Sequence, residues 1–242
     1  MESNYIYYDY LKSIGRLDDI IYESEKSFEE RKSIPARSEL SFMNGFYVYC
    51  SALFVDIRNS SMLPDEHYRP KLAKLYRAYI SELVAIMNGN AKCAEVNIVG
   101  DCVSGIFDSP TKDDIDGVFG TAAQISSLID ILNYKLAKND ICTISVGIGM
   151  SYGRALMIKA GFSGSKINDV IWMGDVVNDA SKLASYGNKL YTDDEIMVSN
   201  LFYENLESEH NKSLLHKNYQ RDCYHGNVVN TVMNEWYKNN CS

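Results

Sequence analysis

"SALFVDIRNSS", residues Ser51 to Ser61, is an apolar run that stops on a carboxylate, Asp56. The wider segment 46–57, "FYVYCSALFVDI", is dense in β-branched and aromatic residues and predicts a strand. A carboxylate at the end of a buried strand is costly to desolvate, so it needs a cationic partner or a metal. After it, "KLAKLYRAYISELVAIMN" sets Leu72, Leu75, Tyr76, Tyr79, Ile80 and Leu83 on one helical stripe. "AEVNIVGDCVSGIF" (94–107) predicts two strands folded about the turn formers Gly100 and Asp101. "DDIDGVFGTAAQISSLIDILNYKLAK" predicts a second long helix, and "ICTISVGIGMSYGRALMIKAG" two strands around Tyr152-Gly153. "DVIWMGD" reads as a strand, "VVNDASKLASYG" as a helix closed by Gly187, and "TDDEIMVSNLFYENL" as a helix with Thr192 as N-cap.

The order strand, helix, strand, strand, helix, strand is the split β-α-β-β-α-β motif of a ferredoxin-like α+β fold. It predicts an antiparallel-rich sheet with extra strands and with helices on one face. Residues 1–42 are polar and read as an N-terminal helical arm that packs on the domain or on a second copy. Within it, "LDDIIYESEKSFEERKSI" is expected to be helical until Pro35. Residues 43–206 form the main domain. Residues 207–242 form a C-terminal extension packing on it, in which "CYHGNVVNTVMNEWYK" supplies a last strand or helix.

Composition narrows the partners. The 242 residues are 46% hydrophobic and 23% charged, with a formal net charge of -8. That charge argues against nucleic acid or an anionic membrane surface, but not against a triphosphate carried in with Mg²⁺. The 6 cysteines form no C-x-x-C pair, the N-terminus does not read as a signal peptide, and no stretch reads as a membrane span. A reduced, cytoplasmic protein is expected. His67, His210, His216 and His225 show no metal-like spacing, and the 18 tyrosines read as core and interface aromatics. Gly161 and Gly164 mark a loop before "VIWMGD".

In the split motif, the strand ending at Asp56 and the turn holding Asp101 are central neighbours, so their carboxylates can meet at one end of the sheet. Two hard oxygen ligands on rigid elements suit Mg²⁺ or Mn²⁺ bound together with substrate phosphates. Two such ions would stabilise both oxygens of an in-line displacement.

"FVDIRNSS", "NIVGDCVSGIF", "VGIGMSYGRALMIKAGFSGS" and "VIWMGDVVNDASKL" resemble, in order, the motif series of class III nucleotidyl cyclases, from about Tyr47 to Leu190. The resemblance implies the class III palm, two metals per site held by Asp56, Asp101 and the main-chain carbonyl of Ile57, and a head-to-tail homodimer with composite sites. It further implies that Asn178 orients the ribose and that the residue four later meets the charge on the α-phosphate. The family has arginine there and this chain has Lys182, a point charge without a bidentate fork. Arg58 or Arg154 could assist, and Arg58 is assigned to the triphosphate. Pyrophosphate would leave in line.

The family's two base-reading positions fall on Asn97 and Ile171, and neither the adenine nor the guanine pair is present. Trp172, Tyr47 and Tyr49 could narrow the pocket to a single ring. The combination is similar to the stand-alone pyrimidine cyclases of bacterial anti-phage (Pycsar) signalling, which make cyclic UMP or cyclic CMP for a separate effector. Asn97 can pair with uracil or, reversed, with cytosine. Two other readings stay open: an adenylate or guanylate cyclase, and a catalytically dead nucleotide-binding or dimerisation module. Lys182 favours the latter and the retained aspartates oppose it. A GGDEF-type diguanylate cyclase shares the palm, but its signature loop is missing.

Overall fold

The computed structural model describes residues 3, 5–24, 27–63, 69–163 and 167–241. His67 and Gly164 lie outside them. The framework is one mixed sheet made of β1 (Phe28–Arg31), β2 (Gly45–Ile57), β3 (Cys93–Val99), β4 (Cys102–Asp108), β5 (Val146–Phe162), β6 (Ile167–Met173), β7 (Ile196–Val198), β8 (His216–Asn218) and β9 (Cys223–Gly226). Its order is β3-β4-β2-β5-β7-β9-β8, with β1 added to β2 and β6 to β5. The helices are α1 (Tyr10–Ile21), α2 (Arg69–Asn88), α3 (Lys112–Ala137), α4 (Asp175–Ala184), α5 (Asn200–Asn205), α6 (Glu209–Ser213) and α7 (Thr231–Asn240).

Strand alternation divides β2 between two cores. Leu53, Val55 and Ile57 enter the larger one, with Leu75, Tyr79 and Leu83 of α2 and Ile115, Phe119 and Ile125 of α3. Phe46, Val48, Cys50 and Ala52 enter the second, with Val176 and Ala180 of α4 and Val170 and Trp172 of β6. The helices therefore cover both faces, not one. Helix α4 lies so close to β5 that a Cβ at Gly149 would meet Ala180 O at 2.1 Å. Only a strand with no side chain at that point lets α4 sit there. Helix α3 is long and apolar enough to cross a membrane, but 61% of its most apolar window is buried inside the protein.

Four further expectations change. The segment around Tyr152-Gly153 is one strand of 17 residues, because β2 pairs with it without interruption from Gly45↔Ile158 to Ile57↔Val146. A continuous partner supplies every ladder hydrogen bond, so the glycine has no reason to turn. Residues Ile196–Val198 form β7 instead of a helix; all three are fully buried between β5 and β9. Helix α5 starts only after Ser199, whose Oγ accepts from Phe202 N at 3.2 Å, so Thr192 is not its cap. The N-terminal helix ends at Ile21, and Phe28–Arg31 runs parallel to Gly45–Val48. On β2, strand β4 pairs only with Cys50–Val55, which leaves Gly45–Val48 with edge groups that β1 satisfies. The C-terminal segment provides both elements: β8 and β9 extend the sheet, and α7 follows, with Asn230 N bonded to Ser127 Oγ of α3 at 2.8 Å. Helix α1 buries none of its residues and exposes Tyr10, Leu11, Ile14, Leu17, Ile20 and Ile21.

Candidate active site

The β3–β4 hairpin turns at Gly100, whose φ of 64° suits a residue without a side chain. Because β4 pairs with β2 up to Val55↔Val103, Asp101 falls beside the end of β2. Asp56 and Asp101 come within hydrogen-bonding reach of each other. Burial raises the Asp56 pKa above its ordinary value, Arg58 pulls it down, and the neighbouring Asp101 pushes it up again. Among the described residues, Asp101 Oδ2 is buried with no hydrogen-bond partner. Two adjacent carboxylates, one with an oxygen that no described residue meets, are a pair that could hold a hard cation.

Arg58 extends the β2–β5 register by one residue, its N–H donating to Ser145 O at 2.8 Å. Its Nη2 donates to Asp56 Oδ2 at 2.7 Å and its Nη1 to Ser185 O, at the C-terminal end of α4, at 2.8 Å. One guanidinium thus ties the acidic strand end to the helix that carries Asn178 and Lys182. Beneath the pair, the fully buried Tyr79 hydroxyl has no partner among the described residues, and its pKa is raised by burial and by nearby Cys102, Asp56 and Asp101. Nothing in the α2 stripe distinguishes Tyr79 from its apolar neighbours, so its place under the carboxylates was hidden.

Asn178 and Lys182 both lie on the exposed face of α4. Lys182 borders a cavity of about 580 Å³ that Arg154, Asp179, Tyr186 and Arg221 also line. Arg154 stacks over Tyr47 and pairs with Glu30 of β1.

Asn97 and Ile171 belong to β3 and β6. Ile171 faces solvent, opposite Ile158, while Trp172 turns inward. From β3, the buried carboxylate of Glu95 reaches across to β6. Its Oε1 accepts from Asn97 Nδ2 at 3.2 Å, and its Oε2 from Trp172 Nε1 and Arg37 Nη2, both at 2.9 Å. Glu95 stands two before Asn97, on the same side of the strand, as a lone acid among apolar residues. That signal was available and went unread. The structure also joins residues whose spacing suggested nothing: Asp194, His216 and His225 offer ligand atoms within 4.8 Å of one another.

With this geometry in place, the class is defined. The chain belongs to the family of the adenylate and guanylate cyclase catalytic domain, whose model matches residues 46–227. It is a nucleotidyl cyclase. A uridylate cyclase of Gulbenkiania mobilis is 40% identical, over 99% of this chain and 100% of its own length. A uridylate cyclase of Treponema porcinum is 36% identical, over 95% of this chain and 80% of its own. The adenylyl cyclase CyaB from P. aeruginosa shares the fold with a TM-score of 0.62 at 21% identity, over 72% of this chain and 85% of that one.

Proposed function

We propose that the chain converts UTP to cyclic UMP and pyrophosphate, as a cytoplasmic, metal-dependent homodimer whose product signals to a separate anti-phage effector. The observation that carries the chemistry is the convergence of Asp56 and Asp101, with one oxygen unpaired among the described residues. These carboxylates and the Ile57 carbonyl would hold two Mg²⁺ or Mn²⁺ ions. Bound there, the ions supply positive charge for the ribose 3′-hydroxyl and the triphosphate. Lys182 meets the charge that grows on the α-phosphoryl oxygens, and Asn178 orients the ribose from one turn away. Both face outward on α4, which suits delivery to the site of a second copy placed head to tail. Arg58, at the carboxylate pair, is the near cation for the triphosphate.

The base reading rests on Asn97. Glu95 takes one Nδ2 proton, so the amide cannot turn its oxygen toward that carboxylate without repulsion. Oδ1 and the second Nδ2 proton then remain for the base: an acceptor for uracil N3–H and a donor for a uracil carbonyl. The near full-length likeness to two uridylate cyclases favours UTP over CTP, for which the amide would have to turn against Glu95.

The test is incubation of the purified chain with each of the four ribonucleoside triphosphates and Mn²⁺, with products identified by mass spectrometry. Cyclic UMP from UTP is the expected product. Turnover of none of the four would leave only a nucleotide-binding module. A preference for ATP or GTP would overturn the base assignment.

A further inference from the structure

A second ligand cluster lies apart from the carboxylate pair, where the segment after α4 meets the last two strands. His216 and His225 are opposite each other in the β8–β9 ladder, and their rings lie 4.0 Å apart. Asp194 reaches between them: its Oδ2 is 3.1 Å from His216 Nε2 and 3.0 Å from His225 Nδ1. The other oxygen, Oδ1, accepts from Asn227 Nδ2 at 2.7 Å, which fixes the carboxylate's direction. Among the described residues, Asp194 Oδ2 is buried and makes no hydrogen bond, although an imidazole nitrogen lies within 3.1 Å on either side of it. The single in-plane lone pair of His225 Nδ1 meets the Asp194 main-chain N–H at 3.1 Å, and a bound ion would take that lone pair in place of the N–H. A buried carboxylate oxygen left without a donor between two imidazole nitrogens is completed by a cation.

From these contacts we infer that Asp194, His216 and His225 form a binding site for one zinc ion. Bonds of about 2.0–2.2 Å to a shared ion place ligand atoms roughly 3.0–3.5 Å apart, the separation found on both sides of Oδ2. Two imidazoles and one carboxylate favour zinc over the magnesium or manganese of a nucleotide site. Asn227 is the partner that orients the carboxylate, as ligating groups require. His225 is buried and His216 is 65% exposed at its side chain, so one side stays open for a water ligand. Occupied, the site would clasp the β8–β9 hairpin to the segment that follows α4.

The experiment uses the full chain, stripped with chelator and returned to buffer with excess Mg²⁺, so that the Asp56–Asp101 site is filled by an oxygen-preferring ion. Zn²⁺ is titrated by calorimetry, and Co²⁺ is used as a visible-absorption probe. One zinc per chain is expected, with a rise in melting temperature of several degrees at saturating zinc. His216→Ala, at an exposed position, should keep its fold, lose at least tenfold in zinc affinity and lose the thermal shift. His225→Gln should do the same with a larger loss. Absence of stoichiometric zinc binding by the wild type, or equal binding by His216→Ala, would overturn the inference. No nucleotide is present, so a chain inactive toward every triphosphate could still bind zinc, and an active cyclase could fail to.

Discussion

The two clusters of ligating groups differ in how the chain builds them. Asp56 and Asp101 stand at the ends of strands that pair directly, β2 with β4, and each sits beside a local signature: a strand that stops on an acid, and a Gly-Asp turn. Asp194, His216 and His225 have no such mark. They meet because β9 pairs with both β7 and β8, two strands too short to be read from periodicity. The comparison shows that a site is legible when its residues terminate recognisable elements and opaque when a sheet edge assembles it.

Variants at the carboxylate pair should give the largest effect. Asp101→Asn removes a charge the site needs and relieves repulsion on Asp56. Pyrophosphate release should fall by a factor on the order of 10³ or more while the circular dichroism spectrum is kept. Retention of a tenth of the activity would detach this region from the chemistry. Mixing comes next. Asp56→Ala and Lys182→Ala homodimers should each be inactive. Subunit exchange between them should restore about a quarter of wild-type turnover, since half the dimers are mixed and each carries one intact site of two. Exchange without recovery would mean that Asp56 and Lys182 do not serve one site across two chains.

A smaller change is expected at Glu95, which supports the base side without touching the carboxylate pair. Glu95→Gln keeps the shape but loses the pairing with Arg37, and its amide can turn a donor toward Asn97. Selectivity for UTP over CTP, measured as a ratio of kcat/KM values, should drop about tenfold, or ~1.4 kcal/mol. An unchanged ratio would mean that Asn97 is held by something else or does not read the base.

The smallest effect serves as a yardstick from neither cluster. Thr111 caps α3, its hydroxyl accepting from Asp114 N at 3.3 Å while Asp114 reaches back to Thr111 N at 3.0 Å. Thr111→Ala should cost about 1 kcal/mol in denaturant unfolding. Burial raises the Asp114 pKa, but hydrogen bonds from Thr111 and Lys92 outweigh it and leave it lowered. A lowered acid stabilises the fold above its unfolded pKa and loses that contribution as pH falls. The gap between wild type and Asp114→Asn should therefore close on acidification from neutral pH to below the native pKa of Asp114.

Most elements were visible because each carried its own period or punctuation. The α2 stripe, the Gly100-Asp101 hairpin and the helix after Gly174 all depend on neighbours within a few residues. The errors fell where a distant partner decided. Gly153 reads as a break, yet thirteen consecutive residues of β2 hold β5 straight through it. Residues Ile196–Val198 sit inside a helical pattern, yet β5 and β9 claim them from both sides. Phe28–Arg31 reads as helix, yet the open stretch of β2 draws it into the sheet.

By itself the sequence determined the ordered motifs, the two carboxylates, the residues Asn97 and Ile171 where purine cyclases carry others, and Lys182 where the family has arginine, because these are properties of residue identity and short-range spacing. Only the tertiary structure decided that α4 packs on the face opposite α2 and α3, that Glu95 holds Asn97 and Trp172 together, and that two histidines close on Asp194. Each of these depends on hydrogen-bond ladders between segments far apart in the chain, whose register no local pattern encodes.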